Sequence, residues 1–90
     1  MDGSNMVNVS GKIVDYWTGK PVSGATVMFN DMLGTTNENG DYQMLNVSPA
    51  VYNITIIHKD YERTVITADL RVTADATVDP IKIKPIFKAL

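Results

Sequence analysis

Apolar and polar residues alternate with period two along most of this chain, the pattern of half-buried strands. Val7, Val9, Gly11 and Ile13 alternate with Asn8, Ser10 and Lys12. Ala25, Val27 and Phe29 alternate with Thr26, Met28 and Asn30, after a break at 15–21. Asn30 to Gly34 reads as the next break, with Thr35-Thr36 as a short strand beyond it. A polar turn, Asn37-Glu38-Asn39-Gly40, then feeds a strand in which Tyr42 and Met44 share one face and Val47 closes the segment. Ser48-Pro49-Ala50 is a second turn, and Tyr52, Ile54 and Ile56 share one face of the strongest strand. Asp60-Tyr61-Glu62 reads as a turn. Ile66, Ala68, Leu70 and Val72 keep one phase, with Asp69 on the solvent side. Val78 starts a last strand, Asp79-Pro80 interrupts it, and Ile81 and Ile83 resume in the other phase, which requires a bulge or an edge position.

No eleven-residue window carries a helical apolar period. About seven short strands with turns every eight to twelve residues predict an all-β, antiparallel sandwich. A parallel sheet is rejected at this point, because no helices are present to make crossovers.

Composition narrows the chemistry. Ninety residues make one domain with one core. There is no cysteine, so neither a disulfide nor a thiolate metal site can reinforce that core. The net charge is -2 and the eight basic residues are scattered, which argues against nucleic acid. No apolar stretch is long enough for membrane insertion. Residues 1–6 read as a leader or the cut edge of a longer chain, 7–84 as the sandwich, and 85–90 as a tail or linker.

Four segments, in this order and spacing, resemble the carboxypeptidase regulatory-like domain: Val9 to Asp15, Thr18 to Val27, Thr36 to Tyr42, and Pro49 to Tyr52. The resemblance covers about Val7 to Ile83 and implies a seven-stranded Greek-key sandwich of the prealbumin-like (transthyretin-like) group, with Ig-like packing. The matched residues have physical roles of their own. Gly11 leaves room for a large neighbouring side chain, and Gly24-Ala25 marks a tight strand entry. Gly40 supplies the positive φ that closes the hairpin, and Tyr42 and Tyr52 give the core its aromatic bulk. Ala50 and Asp60 depart from the pattern, standing where such domains usually carry glycine. A sister family, the collagen-adhesin B-type domains, is often stapled by an isopeptide bond. Its lysine and acid positions fall near Ile13 and Ile56, both aliphatic here, so no such bond is expected.

Candidate chemistry is sparse. His58, the one histidine, continues the core phase at a strand end, with no nucleophile or orienting acid nominated by spacing. It reads as structural, and no metal or cofactor is expected. Asn37, Glu38, Asn39 and Asp41 superficially resemble a calcium loop, but Glu38 breaks the alternation and a hairpin tip explains them. Asn8, Asn46 and Asn53 each begin a glycosylation triplet, a weak pointer to an extracellular origin.

Tyr16-Trp17 is the candidate ligand-binding pair. Trp17 either folds over an open end of the sandwich to cover the core, which is the expectation, or stands exposed to stack on a sugar or anchor a protein.

The resemblance implies a non-catalytic accessory module of a secreted or cell-surface prokaryotic protein, a spacer or protein-interaction domain, and carries no catalytic residue onto this chain. Its partners are then the other domains of the parent chain, with a glycan or protein ligand as a further partner and a monomer as the isolated state. The alternatives are a carbohydrate-binding module using Tyr16-Trp17, since starch-binding-like domains share this sandwich, and a self-associating edge at Pro80.

Overall fold

Alternation fixes which side chains turn inward, and the strands of the computed structural model, which describes residues 6–87, follow it closely. The elements are β1 (Val7–Asp15), β2 (Thr26–Phe29), β3 (Met32–Thr35), β4 (Asp41–Val47), β5 (Val51–His58), β6 (Tyr61–Asp69), β7 (Ala76–Thr77) and β8 (Ile81–Ile83). One sheet runs β4-β1-β7, with β8 also on β1, and the other runs β3-β2-β5-β6. Their inner faces enclose Ile13, Val27, Phe29, Val47, Ile54 and Ile83, all essentially without solvent contact. The fold is the expected all-β sandwich, with eight strands where seven were predicted, because the last segment divides into β7 and β8.

The division follows from the phase change noted in the sequence. Ala76 pairs with Val9 and Ile81 pairs with Ile13, both in parallel with β1. Val78 belongs to neither strand, although its N–H donates to Ser10 O at 2.8 Å. These two parallel pairings correct the expectation of a wholly antiparallel sandwich. No helix is needed for the crossover, because five strands lie between β1 and β7 in the chain and four of them, β2, β3, β5 and β6, carry it through the opposite sheet.

Other boundaries move for local reasons. β3 begins within the break placed at 30–34, and only Asn30-Asp31 form the turn, with Asn30 at φ 54°. Asn tolerates that left-handed conformation. Tyr61 opens β6 instead of lying in a turn. Leu70 is buried but Val72 is 36% exposed, so the inward phase stops at Leu70. Gly24 is required by its φ of 75° and not by close packing, since a Cβ there would meet nothing within 4 Å. Met44 and Val47 are both buried although three apart, because a register shift is absorbed where Asn46 sits at φ 58°. Asn8 Oδ1 accepts the Asn46 N–H at 3.1 Å and holds that bulge.

Aromatic bulk sits where the sequence placed it. Phe29 contacts Tyr42 at 6.2 Å and Tyr52 at 5.6 Å between ring centroids. Tyr42 fits only because Gly11 lies beneath it: a Cβ on Gly11 would stand 2.7 Å from the Tyr42 ring carbon Cε2. The Tyr52 hydroxyl donates to Ser48 O at 2.7 Å, whereas the buried Tyr42 hydroxyl has no partner. Burial pushes the Tyr42 phenol up to about 12.

Thr36 is a buried polar residue that stitches loop to loop. Its hydroxyl accepts from Ala25 N at 2.9 Å and donates to Val22 O at 2.7 Å. Its own N–H donates to Ala25 O, and its carbonyl accepts from Gly24 N.

Two stability measurements check these assignments. Tyr42→Phe removes an unpaired buried hydroxyl and is expected to leave stability unchanged or raise it by about 1 kcal/mol in chemical denaturation; a clear loss would reveal a missed partner. Thr36→Val keeps the shape but strands Ala25 N and Val22 O, and should cost about 1–3 kcal/mol. A neutral result would mean that these bonds contribute nothing net.

Candidate functional site

The exposed aromatic loop is built on Asp15, the last residue of β1. Asp15 Oδ1 accepts the N–H groups of Trp17 at 2.8 Å and Thr18 at 3.0 Å, an Asx-type turn. Gly19, at φ 73°, donates its N–H to Asp15 O, and Asp15 N donates to Lys20 O, closing the loop. Asp15 Oδ2 accepts the Tyr61 hydroxyl at 2.8 Å. Tyr16 N donates to Ile83 O at 2.8 Å, so the loop is also tied to the end of β8.

Above this base the rings stand in solvent. Tyr16 is 43% and Trp17 62% exposed, and they meet edge-to-face with centroids 4.8 Å apart. The Lys84 ammonium lies 4.9 Å from the Tyr16 ring centroid, a cation–π contact. This corrects the expectation that Trp17 covers the core. The end of the sandwich is closed instead by backbone: Glu62 N donates to Lys84 O at 2.7 Å, Ile86 N donates to Asp60 O at 2.9 Å, and Tyr61 bridges to Pro85.

Hydrogen bonding also sets the charges. The N–H of Thr18, with the Tyr61 hydroxyl, holds the Asp15 carboxyl below its ordinary value. Burial, with Asp15 beside it, raises the Tyr61 phenol.

The other candidates are engaged structurally. His58 is half-buried at the end of β5, against Tyr61 with ring centroids 5.2 Å apart. Its Nε2 donates to Ser23 O at 3.1 Å and its Nδ1 accepts Asp60 N at 3.0 Å, so both ring nitrogens are used. Asn37 Oδ1 accepts from Asn39 N at 2.9 Å and Asp41 N at 3.0 Å, and Gly40 takes φ 76°. The amide that resembled a calcium ligand is therefore spent on the hairpin. Among the described residues no group of three His, Asp or Glu is placed to hold a metal. A shallow groove of about 620 Å³ crosses the outer face of β4 and β1, but its charges, Lys12 and Asp41, are paired at 3.2 Å. Asn53 is exposed, with Oδ1 accepting from Thr67 Oγ1, and Asn8 is half-buried.

Tyr16 and Trp17 were legible as a pair in the sequence, but Asp15, Tyr61 and Lys84 were not. Only the parallel β1–β8 pairing, Asp15 opposite Ile83, brings Lys84 to Tyr16, and no local pattern announces it.

Two packed sheets with an exposed aromatic loop at one end define a β-sandwich domain. The chain belongs to the carboxypeptidase regulatory-like domain family, whose model matches residues 8–83. Solved structures share the fold. A chain of a type II cohesin–X-dockerin complex from Acetivibrio cellulolyticus, a C-terminal interface mutant, aligns with TM-score 0.71 at 23% identity, over 86% of this chain and 56% of that one. A Bacteroides uniformis protein provisionally designated carbohydrate binding aligns with TM-score 0.70 at 18% identity, over 91% and 43%. The Bacillus anthracis TIE protein aligns with TM-score 0.73 at 14% identity, over 91% and 17%. This chain therefore spans well under two thirds of the length of each. Comparison with curated protein sequences gave no match. No helix among the described residues is long and apolar enough to cross a membrane.

The Asp15 contacts generate a pH prediction. Its carboxyl is depressed in the fold, so the stability it contributes is present above its unfolded value of 3.8 and lost as pH falls through the lower folded value. Trp17 emission should shift across that acid window in the parent chain. Asp15→Asn should lack this transition, and an unchanged transition in that variant would assign it to another group.

Proposed function

We propose that this domain is a non-catalytic accessory module of a larger secreted or cell-surface prokaryotic protein, acting as a spacer or protein-interaction domain and presenting the Tyr16-Trp17 loop outward. Its immediate partners are the other domains of the parent chain, and the isolated domain is a monomer. Family membership supports the accessory role. One observation carries the interaction role: Trp17 is 62% exposed while the backbone beneath it is fixed by Asp15. A large ring held rigidly in water costs solvation and returns nothing to the core, so its benefit lies in contact with something else.

A second reading is glycan binding at the same loop. Exposed, edge-packed aromatic rings with a cation beside them suit the apolar face and hydroxyl rim of a sugar. The edge strand β8 is a weaker candidate for self-association, since Pro80, Lys82 and Lys84 oppose strand pairing there.

Trp17→Ala separates a contact residue from a packing residue. Stability should change by no more than about 0.5 kcal/mol, as at other surface positions, while ligand or partner binding is lost. A destabilisation of about 3 kcal/mol or more would return Trp17 to a core-covering role and defeat the interaction reading.

A further inference from the structure

We infer that the ligand taken at the Tyr16-Trp17 loop is an anionic glycan, one bearing carboxylate or sulfate groups, with Lys84 reading the charge. The inference rests on the glycan reading of the loop and adds to it the chemical class of the sugar.

Lys84 lies exposed beside Tyr16, its ammonium 4.9 Å from the ring centroid. Among the described residues the acids at this end are Asp15, Asp60 and Glu62. Asp15 is committed: one oxygen accepts two backbone N–H groups and the other the Tyr61 hydroxyl. Among the described residues the ion pairs are Lys12–Asp41 and Arg71–Asp69, so neither Asp60 nor Glu62 pairs with Lys84. Lys82 lies two residues back on the same outward face of β8, opposite Val14, and is also exposed. Lys20 closes the aromatic loop through its carbonyl. Lys84 is thus the ammonium set against the exposed rings, in a chain whose net charge is -2.

The Lys84 ammonium beside the ring sets what can bind. A neutral sugar would stack on Trp17 but leave Lys84 with only its cation–π contact. An anionic sugar stacks equally well and adds a charge-assisted hydrogen bond to an ammonium that pairs with no carboxylate among the described residues. The loop is fixed in advance by Asp15 and Gly19, so little ordering cost opposes that bond. The groove across β4 and β1 has as its charged groups only Lys12 and Asp41, which pair with each other.

Trp17 fluorescence titrations test the inference with four polymers: dextran, dextran sulfate, polygalacturonate, and polyvinyl sulfonate, which is anionic but has no sugar ring. Trp17 is the chain's one tryptophan, so the signal is local. Dextran sulfate, polygalacturonate or both should bind about tenfold or more tightly than dextran and polyvinyl sulfonate, and which of the two binds identifies the anion. Lys84→Gln should weaken that binding about tenfold with unchanged Tm, whereas Arg71→Gln, which removes the same charge at the far end of β6, should not. Equal affinity for dextran and dextran sulfate, with Lys84→Gln silent, would overturn the anionic specificity and leave glycan binding standing. Binding of polyvinyl sulfonate as tightly as the glycans, or equal effects of the two variants, would reduce the contact to bulk charge and also overturn it. No binding to any of the four would remove the glycan reading itself.

Discussion

Tyr42 has a place in this core only because Gly11 has no side chain. The two residues face each other across β1 and β4, and the tyrosine ring crosses the glycine instead of standing upright. Phe29 then packs against Tyr42 on one side and Tyr52 on the other, which fixes the spacing of the sheets. A cysteine-free chain of ninety residues has no disulfide or thiolate metal site to reinforce it, so this aromatic trio and the aliphatic rows around it carry much of its cohesion. The arrangement is tight enough to leave the Tyr42 hydroxyl unpaired. Replacing the hydroxyl's ring with a smaller side chain would open a void in the middle of the sandwich.

The inward faces were readable because alternation is a local code. Val9, Ile13, Val27, Tyr42, Ile54 and Ile56 could be assigned to the core from their neighbours alone. Failures came where one residue had to do two things. Asn30-Asp31 looked like part of a longer polar break, but two residues suffice to turn a hairpin, and β3 begins at once. Thr36 reads as part of a short strand opening a matched segment, and its hydroxyl also joins two loops through contacts eleven and fourteen residues distant. Val78 and Ile81 disagreed in phase, which correctly marked a disruption but could not say that both pieces lie parallel to β1.

The candidate site was half legible for the same reason. Adjacent aromatics in a loop are visible to inspection. Whether they lie on the core or stand away from it depends on the residues beneath, and those come from β1, β6 and the segment after β8. Asp15 joins all of this: a single carboxylate accepts two loop N–H groups and a tyrosine from the opposite sheet. With the sandwich end already shut by the backbone of Glu62, Lys84 and Ile86, Trp17 is not needed as a cover. The exposed ring is therefore a consequence of how the two sheets meet.

The parallel seam between β1 and β8 carries a kinetic consequence. Ile13 is matched to Ile81 and Asp15 to Ile83, so the first strand made is completed by the last. During synthesis from the N-terminus, β1 has only β4 to pair with until nearly the whole domain has emerged, and its other edge stays open. Contacts spanning that much sequence are slow to form, because closing the long loop precedes any gain from them. Until they form, the nascent domain exposes an apolar strand edge to its neighbours, and Asp79-Pro80 gives the late-arriving partner a break at which its two halves can dock in turn.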